Sequence, residues 1–255
     1  MESRGGPERG DGPRPPRGAV ARAFLRTLAV QGSWNYRTLV GAGLAHALSP
    51  LLRWVHAADP SELRESLRRH ASAFNGHPYL CGMAVAALAR LEMEGREPAE
   101  VDRFRAALSG PLGAVGDRAV WAAWRPFCLL AAIGGHVAGL SAGAAVVVFL
   151  SMYNAGHLWV RAWAFRVGWR ERVRVARAFP RLLLLRLAPG MAAVNVALLG
   201  LASAGLAVEL PWPGGAGGAE AAVVGGAVLT AYLAPGVCGR LCSLLLAGAV
   251  GVWLL

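Results

Sequence analysis

The stretch Ser109-Gly110-Pro111-Leu112-Gly113-Ala114-Val115-Gly116-Asp117 decides how the rest of the chain is interpreted. Its three glycines and one proline disfavour a continuous helix, because a glycine costs about 1 kcal/mol and a proline about 3 kcal/mol in a helix interior. The stretch therefore predicts a break that ends in a carboxylate. Inside a membrane, irregular backbone is tolerated only where protein or a water-filled pathway satisfies its polar groups. Two interpretations stay open: a break that lines a polar cavity, or an ordinary interfacial loop with a solvated aspartate.

The composition places this break in an apolar chain. Hydrophobic residues make up 55% of the sequence, and the mean hydropathy is +0.43. No charged side chain occurs in the stretches 127–160, 187–208 and 241–255. About 20 helical residues are enough to cross the roughly 30 Å core of a bilayer. The sequence therefore predicts an all-α, multi-pass helical membrane protein with broken or re-entrant helices and amphipathic interfacial helices.

The positive charge comes entirely from arginine. The formal net charge is +11, and the sequence contains no lysine. Chemistry that needs a Schiff-base lysine or a phosphate-loop lysine is therefore excluded. The arginines flank the apolar stretches and are not part of a nucleic-acid recognition motif, so the positive-inside bias of membrane proteins explains them better than a nucleic-acid partner does.

The predicted domain organisation is simple. Residues 1–18 form a tail rich in arginine, proline and glycine that we expect to be disordered. Residues 19–255 form a single membrane domain with three parts. The first, 19–109, holds amphipathic and short apolar helices. The second, 110–186, holds the glycine-rich box, a glycine-rich apolar segment and an arginine-rich interfacial helix, and the third, 187–255, holds the C-terminal spans.

The first half of the chain has helical patterns with recognisable ends. The predicted helices cover residues 20–30, 38–56, 59–74, 78–94 and 97–108. Asp59 is expected to cap the third helix, because Pro60 then occupies the first helical position. Gly76 is expected to end that helix in a left-handed conformation.

The second half of the chain begins with a glycine-rich apolar region and continues with more conventional apolar helices. Arginines lie on both sides of 127–153, so two short segments that enter and return fit this region better than one crossing. An interfacial helix with a solvated or lipid-phosphate-facing arginine stripe is expected over 166–181. The clearest span is 186–208. A glycine-rich loop follows it, and two more apolar helices are predicted at 221–233 and 241–255.

The sequence offers little catalytic chemistry. No nucleophile elbow, phosphate loop or zinc motif occurs, and the four cysteines and six histidines lack metal-ligand spacing, so no cofactor or metal is expected. Polar residues do occur beside the glycine and proline breaks. They are Asn35, Asn75, His77, Asp117 and Asn154. Polar groups at membrane depth tend to mark substrate pathways, and transporters build such sites at broken helices. The residues therefore indicate a transporter or a subunit of one.

Four local motifs together resemble a known family. They are Gln31-Gly-Ser-Trp-Asn-Tyr36, Phe74-Asn-Gly-His-Pro78, Gly110-Pro-Leu-Gly-Ala-Val-Gly-Asp117 followed by Trp121 and Arg125-Pro126, and Asn154 ahead of Arg161. Their order and spacing are similar to those of the IID membrane component of the mannose/fructose/sorbose-family sugar phosphotransferase system. The resemblance covers about residues 24–169.

The resemblance implies that the chain is one subunit of a larger transport complex. A IID chain is expected to pair with a IIC membrane subunit in the bilayer and to form a translocation unit for a hexose-type sugar. Separate IIA and IIB proteins carry the phosphoryl group, so this chain is not expected to be an enzyme on its own. A higher oligomer of IIC–IID pairs in the bacterial inner membrane is expected, with the N-terminus in the cytoplasm.

We also predict roles for individual residues. The substrate pathway or partner interface is expected to include Asn35, Asn75 and Asp117, and for each of these a structural role stays as open as contact with the sugar. Four residues are expected to shape the broken segment: Gly110, Pro111, Gly113 and Gly116. The remaining motif residues are expected to hold the fold or the IIC contact: Trp34, Pro78, Trp121, Arg125, Pro126 and Asn154.

Some positions depart from the family pattern. Arg37-Thr38-Leu39-Val40 stands where the family commonly has Glu-Arg-Met-Gln, Gly76 replaces a usual threonine, and Arg118 follows the aspartate. These differences support an alternative, a degenerate IID relative that acts as a regulatory or structural membrane partner without sugar transport. A membrane-bound enzyme is a third hypothesis, and no catalytic set supports it.

Overall fold

The structure is a computed structural model that describes residues 14–209, and it is helical over that range. Two tighter 3-10 segments cover Thr27–Ala29 and Arg172–Arg181, and one wide π-helix covers Asp117–Trp124. The α-helices are α1 (Arg17–Arg26), α2 (Gly41–Val55), α3 (Pro60–Ala71), α4 (Cys81–Met93), α5 (Pro98–Leu108), α6 (Pro111–Gly116), α7 (Arg125–Val137), α8 (Ala142–Glu171) and α9 (Leu183–Glu209). The predicted helices at 221–233 and 241–255 lie outside the described residues, as do Cys238, Cys242 and most of the predicted tail.

The chain forms two compact units. Within the described residues, the first contains 14–116 together with Trp159–Phe179, and the second contains Asp117–Leu158 together with 180–209. The boundary between the units therefore falls inside the glycine-rich box, between Gly116 and Asp117.

Helix α4 is the centre of the first unit. Every residue from Cys81 to Glu92 is buried, and the part from Cys81 to Ala89 is apolar on all sides, as expected for an enclosed helix. Helix α2 packs against α1, α3 and α4, and α5 packs against α4. The predicted start of α3 is confirmed: Asp59 Oδ1 accepts hydrogen bonds from the backbone N–H groups of Ser61 (2.8 Å) and Glu62 (3.2 Å), and Pro60 is the first helical residue.

Two predicted helix ends in this unit are wrong for the same physical reason. Helix α3 ends at Ala71 and not near Phe74, and α2 begins at Gly41 and not at Thr38. Both missing turns are replaced by backbone pairing, because Leu39 forms a bridge with Phe74. The predicted left-handed end at Gly76 is also wrong, since the glycines with positive φ are Gly95, Gly110 and Gly139 in the described part of the chain.

The second unit contains the predicted interruption of the apolar region. Helix α7 ends at Val137, Gly139 turns the chain with φ +107°, and α8 begins at Ala142. The interruption within 127–153 is confirmed, but the second segment is not short, because α8 continues to Glu171. Helix α9 confirms the helical character of 186–208 and packs against α7.

One helical run in the described residues is long and apolar enough to cross a membrane. It extends over Ala142–Val196, and only 11% of its most apolar stretch is buried. Val146, Val147 and Leu150 of this run are 55%, 62% and 49% exposed. The apolar surface of α8 therefore faces outward, unlike that of the enclosed helix α4.

The predicted arginine-rich helix over 166–181 is only partly formed. Helix α8 includes Arg166 and Arg170, but it stops at Glu171 because Arg172 adopts a positive φ of +52°. The remaining arginines lie on the 3-10 segment that follows.

Candidate functional site

Three of the predicted motifs meet at Phe74 and Asn75 in the first unit. The N–H of Val40 donates to Phe74 O (3.2 Å), and the N–H of Phe74 donates to Thr38 O (3.1 Å). On the other side, the N–H of Gly110 donates to Asn75 O (3.0 Å), and the N–H of Asn75 donates to Ser109 Oγ (2.9 Å). Backbone hydrogen bonds therefore join the tryptophan-asparagine turn, the Phe74–Pro78 segment and the start of the glycine-rich box.

The break in the box is shorter than the sequence predicts. Only Gly110 adopts a left-handed conformation, with φ +89°, and Pro111 begins helix α6 directly after it. Gly113 and Gly116 are helical, so the expectation that they shape a broken segment is corrected. Proline is tolerated at a first helical position because its missing N–H would have no helical partner there. The two later glycines instead permit close contact with the Phe74–Pro78 segment.

His77 occupies the space beside Gly116. A Cβ on Gly116 would lie 2.1 Å from the Cβ of His77, while Gly113 faces the Asn75 amide at 3.7 Å. The imidazole is buried, and its Nδ1 accepts a hydrogen bond from the N–H of Tyr79 (3.2 Å). Burial, together with the nearby Arg161 guanidinium, lowers the pKa of His77 to about 4. The side chain is therefore neutral at pH 7. Pro78 is buried in the turn that leads into α4.

Asn35 shapes an exposed turn. Its Nδ2 donates to Ser33 O (3.1 Å) and Thr38 Oγ1 (2.8 Å), and its Oδ1 accepts from the N–H groups of Arg37 (3.0 Å) and Thr38 (2.9 Å). These four bonds use the two donors and both lone-pair directions of the amide. The neighbouring Trp34 is 47% exposed, and its ring meets the ring of Tyr36 edge-on at 4.9 Å.

Asn75 and Asp117, two of the predicted polar residues, have side chains that can still bind a ligand or a partner. Asn75 is exposed, and its amide makes no hydrogen bond to any residue in the range 14–209. Asp117 is also exposed, and its carboxylate has neither a hydrogen bond nor an ion pair within the same range. Asn75 belongs to the first unit and Asp117 to the second.

Asp117 begins the π-helix Asp117–Trp124. π-Helical turns are rare and often occur at functional sites. Asn195 of α9 is buried and donates from Nδ2 to the backbone carbonyl of Ala123 in this segment (3.2 Å). Asn195 is not among the polar residues predicted above, although it is the only amide side chain in the uncharged stretch 187–208.

The other motif residues of the second unit have structural contacts. The guanidinium of Arg125 lies 5.6 Å from the centre of the Trp121 ring, and Pro126 occupies the first turn of α7. Asn154 donates to Leu150 O in its own helix (2.7 Å). Near it, Gly156 leaves room for the Trp124 indole, since a Cβ there would lie 2.4 Å from that ring.

The first unit also contains a buried polar cluster that the sequence motifs do not predict. The Glu92 carboxylate on α4 accepts hydrogen bonds from Ser66 Oγ (3.0 Å) and Arg69 Nη2 (3.0 Å), and it contacts His70 Nε2 at 2.8 Å. Burial acts to raise the pKa of Glu92, but the His70 and Arg69 contacts outweigh it and lower that pKa to about 2. The available signal was a carboxylate, Glu92, near the end of a helix whose first nine residues carry no charge.

Metal chemistry has no visible site in the described part of the chain. No group of three histidine, cysteine or acidic side chains is arranged there to hold an ion. Cys81 and Cys128 are buried free thiols.

The fold and these motifs define a class of protein: an all-helical membrane component built around an interrupted apolar region. A model of the family described as "PTS system mannose/fructose/sorbose family IID component" matches residues 17–213. The chain belongs to this family.

Curated relatives agree with the family match. The mannose-specific EIID component of Escherichia coli K12 is 25% identical over 186 residues, which are 71% of this chain and 65% of that protein. The sorbose-specific EIID component of Klebsiella pneumoniae is 26% identical over 189 residues, 72% of this chain and 68% of that protein. The fructose permease IID component of Bacillus subtilis is 24% identical over 194 residues, which are 74% of this chain and 70% of that protein. The chain thus spans about two thirds of the length of these relatives, and slightly less for the Escherichia coli protein.

Two solved structures share the fold. One is a cryo-electron microscopy structure of the mannose transporter ManYZ in complex with microcin E492, with a TM-score of 0.56, 22% identity, and coverage of 74% of this chain and 70% of that one. The other is described as a membrane protein, with a TM-score of 0.61, 23% identity and the same coverage.

Proposed function

We propose that this chain is the IID subunit of a mannose-family phosphotransferase sugar permease. It forms the sugar translocation unit with a IIC subunit, and separate IIA and IIB proteins carry the phosphoryl group. The observation that carries this proposal is the family match over residues 17–213. The chain itself transfers no phosphoryl group and serves as a membrane subunit of the complex.

The proposal also covers topology. The chain crosses the bacterial inner membrane more than once, its N-terminus is cytoplasmic, and several IIC–IID pairs assemble into one oligomer. The outward apolar surface of α8 supports contact with lipid or with the IIC subunit, because exposed apolar surface of this extent is unfavourable in water.

Within this function, Asp117 and Asn75 are the polar residues of the pathway or the IIC interface. Both are exposed, and neither side chain has a hydrogen-bonding partner in the described residues. Asn35 has a different role in this proposal. Its hydrogen bonds are all used within its own turn, so it holds the exposed Trp34 and Tyr36 rings in position.

The test is sugar uptake by the complete system. The chain is co-expressed with its IIC, IIB and IIA partners in a host that lacks its own mannose-family permease, and uptake of labelled mannose, fructose and sorbose is measured. We expect uptake of at least one hexose that requires both this chain and IIC. Asp117→Asn should lower uptake about tenfold or more at unchanged membrane abundance, since one hydrogen bond to a charged group is worth about 1.5–3 kcal/mol.

Asp102→Asn is the matched control, because it makes the same chemical change at a half-exposed carboxylate of α5. It should leave uptake unchanged. If Asp117→Asn and Asn75→Ala both transport like the wild type, those residues are not in the pathway.

A second function has one specific observation in its favour. Arg37 lies in the exposed turn that follows Asn35, at a position where the family commonly has an acidic residue. The Asn35 amide in this turn has no remaining hydrogen-bonding capacity. In this alternative the chain is a regulatory or structural partner that does not transport sugar. Stable co-purification with IIC, without uptake of any of the three sugars, would select this function.

A further inference from the structure

An arginine-lined cavity of about 790 Å³ lies between helix α1 and the last part of α8 in the first unit. Its walls carry six guanidinium groups and no carboxylate among the lining residues that the structure describes. The six are Arg14, Arg17, Arg90, Arg166, Arg170 and Arg172. Neither the family assignment nor the interrupted apolar region accounts for this cavity.

The cavity keeps a large excess of positive charge. Glu94, outside the lining, forms an ion pair with Arg172 (3.0 Å) and lies 4.0 Å from Arg90. Glu171 lies between the lining residues Arg170 and Arg172 in sequence, so these two carboxylates stand beside six lining arginines in the described part of the chain. Guanidinium groups stay charged at any physiological pH and can donate two parallel hydrogen bonds to a phosphate.

The N-terminal end of α1 also attracts an anion. The first turn of this ten-residue helix contains no acidic residue, and Pro16 at its N-cap offers no side-chain hydrogen bond. Arg14, Pro15 and Arg17 at this end all line the cavity. The unsatisfied N–H groups and the helix dipole therefore favour a negative group here.

The floor of the cavity is aromatic. The rings of Phe24 and Phe165 meet edge-on at 5.5 Å, and the rings of Phe165 and Trp169 are stacked at 6.2 Å. The Arg90 guanidinium lies over the Trp169 ring at 5.6 Å. A free phosphate ion would use the guanidinium groups and leave this apolar surface unused. A ligand with a phosphate and a hydrocarbon chain would use both.

The residues next to the cavity favour a ligand in the bilayer. Leu25 of α1 and Leu28 of the following 3-10 turn are 58% and 42% exposed. A basic helix that presents leucine side chains outward is typical of the membrane interface, where its apolar face reaches the acyl chains. The open side of the cavity is therefore expected to lie at the level of lipid headgroups.

We propose that this cavity binds the phosphate headgroup of an anionic phospholipid, with an acyl chain lying along Phe24, Phe165 and Trp169. The proposal rests on the membrane location in the proposed function. Arg166 and Arg170 contact the phosphate from α8, and the N-terminal end of α1 closes the site from the other side.

The test measures lipid binding by the full chain, purified in a neutral detergent. Dioctanoyl-phosphatidylglycerol is titrated by calorimetry, with dioctanoyl-phosphatidylcholine and glycerol 3-phosphate as comparison ligands. We expect phosphatidylglycerol to bind at least about tenfold more tightly than either, because only this lipid offers both an acyl chain and a net negative headgroup.

Charge variants locate the site. Arg166→Gln with Arg170→Gln should weaken phosphatidylglycerol binding about 30-fold, since a basic residue near an anionic lipid contributes about a fivefold change in affinity. The matched control is Arg174→Gln with Arg177→Gln, two exposed arginines of the next segment that do not line the cavity. This control should bind within about twofold of the wild type. Arg166→Lys with Arg170→Lys keeps the charge and should retain most of the affinity.

Several results would overturn the proposal. They are equal binding of phosphatidylcholine, equal binding of glycerol 3-phosphate, and wild-type affinity in the Arg166→Gln/Arg170→Gln variant. The ligand comparison uses only the wild-type chain, so the test does not depend on correct folding of the variants. Loss of sugar uptake with intact lipid binding counts against the proposed permease function alone, whereas uptake without selective lipid binding counts against this site alone.

Discussion

The imidazole of His77 lies against the backbone of Gly116, at a point where a methyl group at residue 116 would be 2.1 Å from the Cβ of His77. This contact holds α6 against the segment that leads into α4. It also explains why the second half of the glycine-rich box contains glycine in a helix, where glycine is otherwise unfavourable.

The first prediction concerns this contact. Gly116→Ala should destabilise the protein by about 1–3 kcal/mol, the usual cost of forcing an added methyl into a packed interior. The free energy of unfolding is measured by tryptophan fluorescence in detergent as denaturant is added. Gly18→Ala in α1 is the control, because a Cβ there meets nothing within 4 Å. It should leave stability unchanged or raise it by up to about 1 kcal/mol. Equal effects of the two changes would rule out the packing explanation.

The second prediction concerns pH. The pKa of His77 is about 4 in the folded protein and about 6.5 when the chain is unfolded, so only the unfolded chain takes up this proton as the pH falls between those values. Stability should therefore decrease from pH 6.5 towards pH 4, by up to about 3 kcal/mol from this residue.

The pH test compares unfolding curves of the wild type and His77→Gln. Burial also lowers the pKa of His70, which contributes a loss of the same sign. The variant should therefore lose less stability than the wild type over this range without becoming independent of pH. The same pH dependence in both proteins would contradict the assignment to His77.

The third prediction concerns the buried carboxylate of Glu92. Glu92→Gln removes the buried charge that faces Arg69 at 3.0 Å and leaves that guanidinium with only the half-exposed Asp102 carboxylate at 3.9 Å, so we expect a loss of about 3 kcal/mol. Glu65→Gln is the control, since Glu65 and its partner Arg68 are both exposed. It should change stability by less than about 1 kcal/mol. Chemical denaturation at pH 7 measures the free energy of unfolding of both variants. A loss of less than about 1 kcal/mol in Glu92→Gln would show that the cluster is solvated.

The fourth prediction compares two asparagines of the second unit. Asn195→Ala removes the hydrogen bond to the Ala123 carbonyl in a buried setting and should cost about 1–3 kcal/mol. Asn154→Ala removes an exposed bond within one helix and should cost less than about 1 kcal/mol. Thermal unfolding of the two variants in the same detergent gives the comparison. A larger effect at Asn154 would indicate that its role lies outside the described contacts.

The sequence patterns were informative where local chemistry controls the structure. The Asp59-Pro60 start of α3, the start of α5 at Pro98 and the interruption near Gly139 each depend on residues close in sequence. The family resemblance was also sufficient to identify the class of protein, since it depends on motif order and not on tertiary contacts.

Features that depend on distant contacts were not predictable. The ends of α2 and α3 are set by the pairing of Leu39 with Phe74, and helical propensity contains no information about that pairing. The Glu92 cluster collects groups from two helices, and the π-helix has no simple sequence signature. The glycines of the box were misassigned for a related reason: Gly113 and Gly116 serve close packing, and only Gly110 serves a turn.

The π-helix fixes the rotational phase of the helix that follows it. Each π turn takes in one residue more than an α turn, and one residue corresponds to about 100° of rotation about a helix axis. The wide turns over Asp117–Trp124 therefore determine that Cys128, Ala132 and Gly134 are the residues of α7 that point inward. Gain or loss of a single residue in this segment acts on α7 as a twist, so its length is constrained as tightly as its composition.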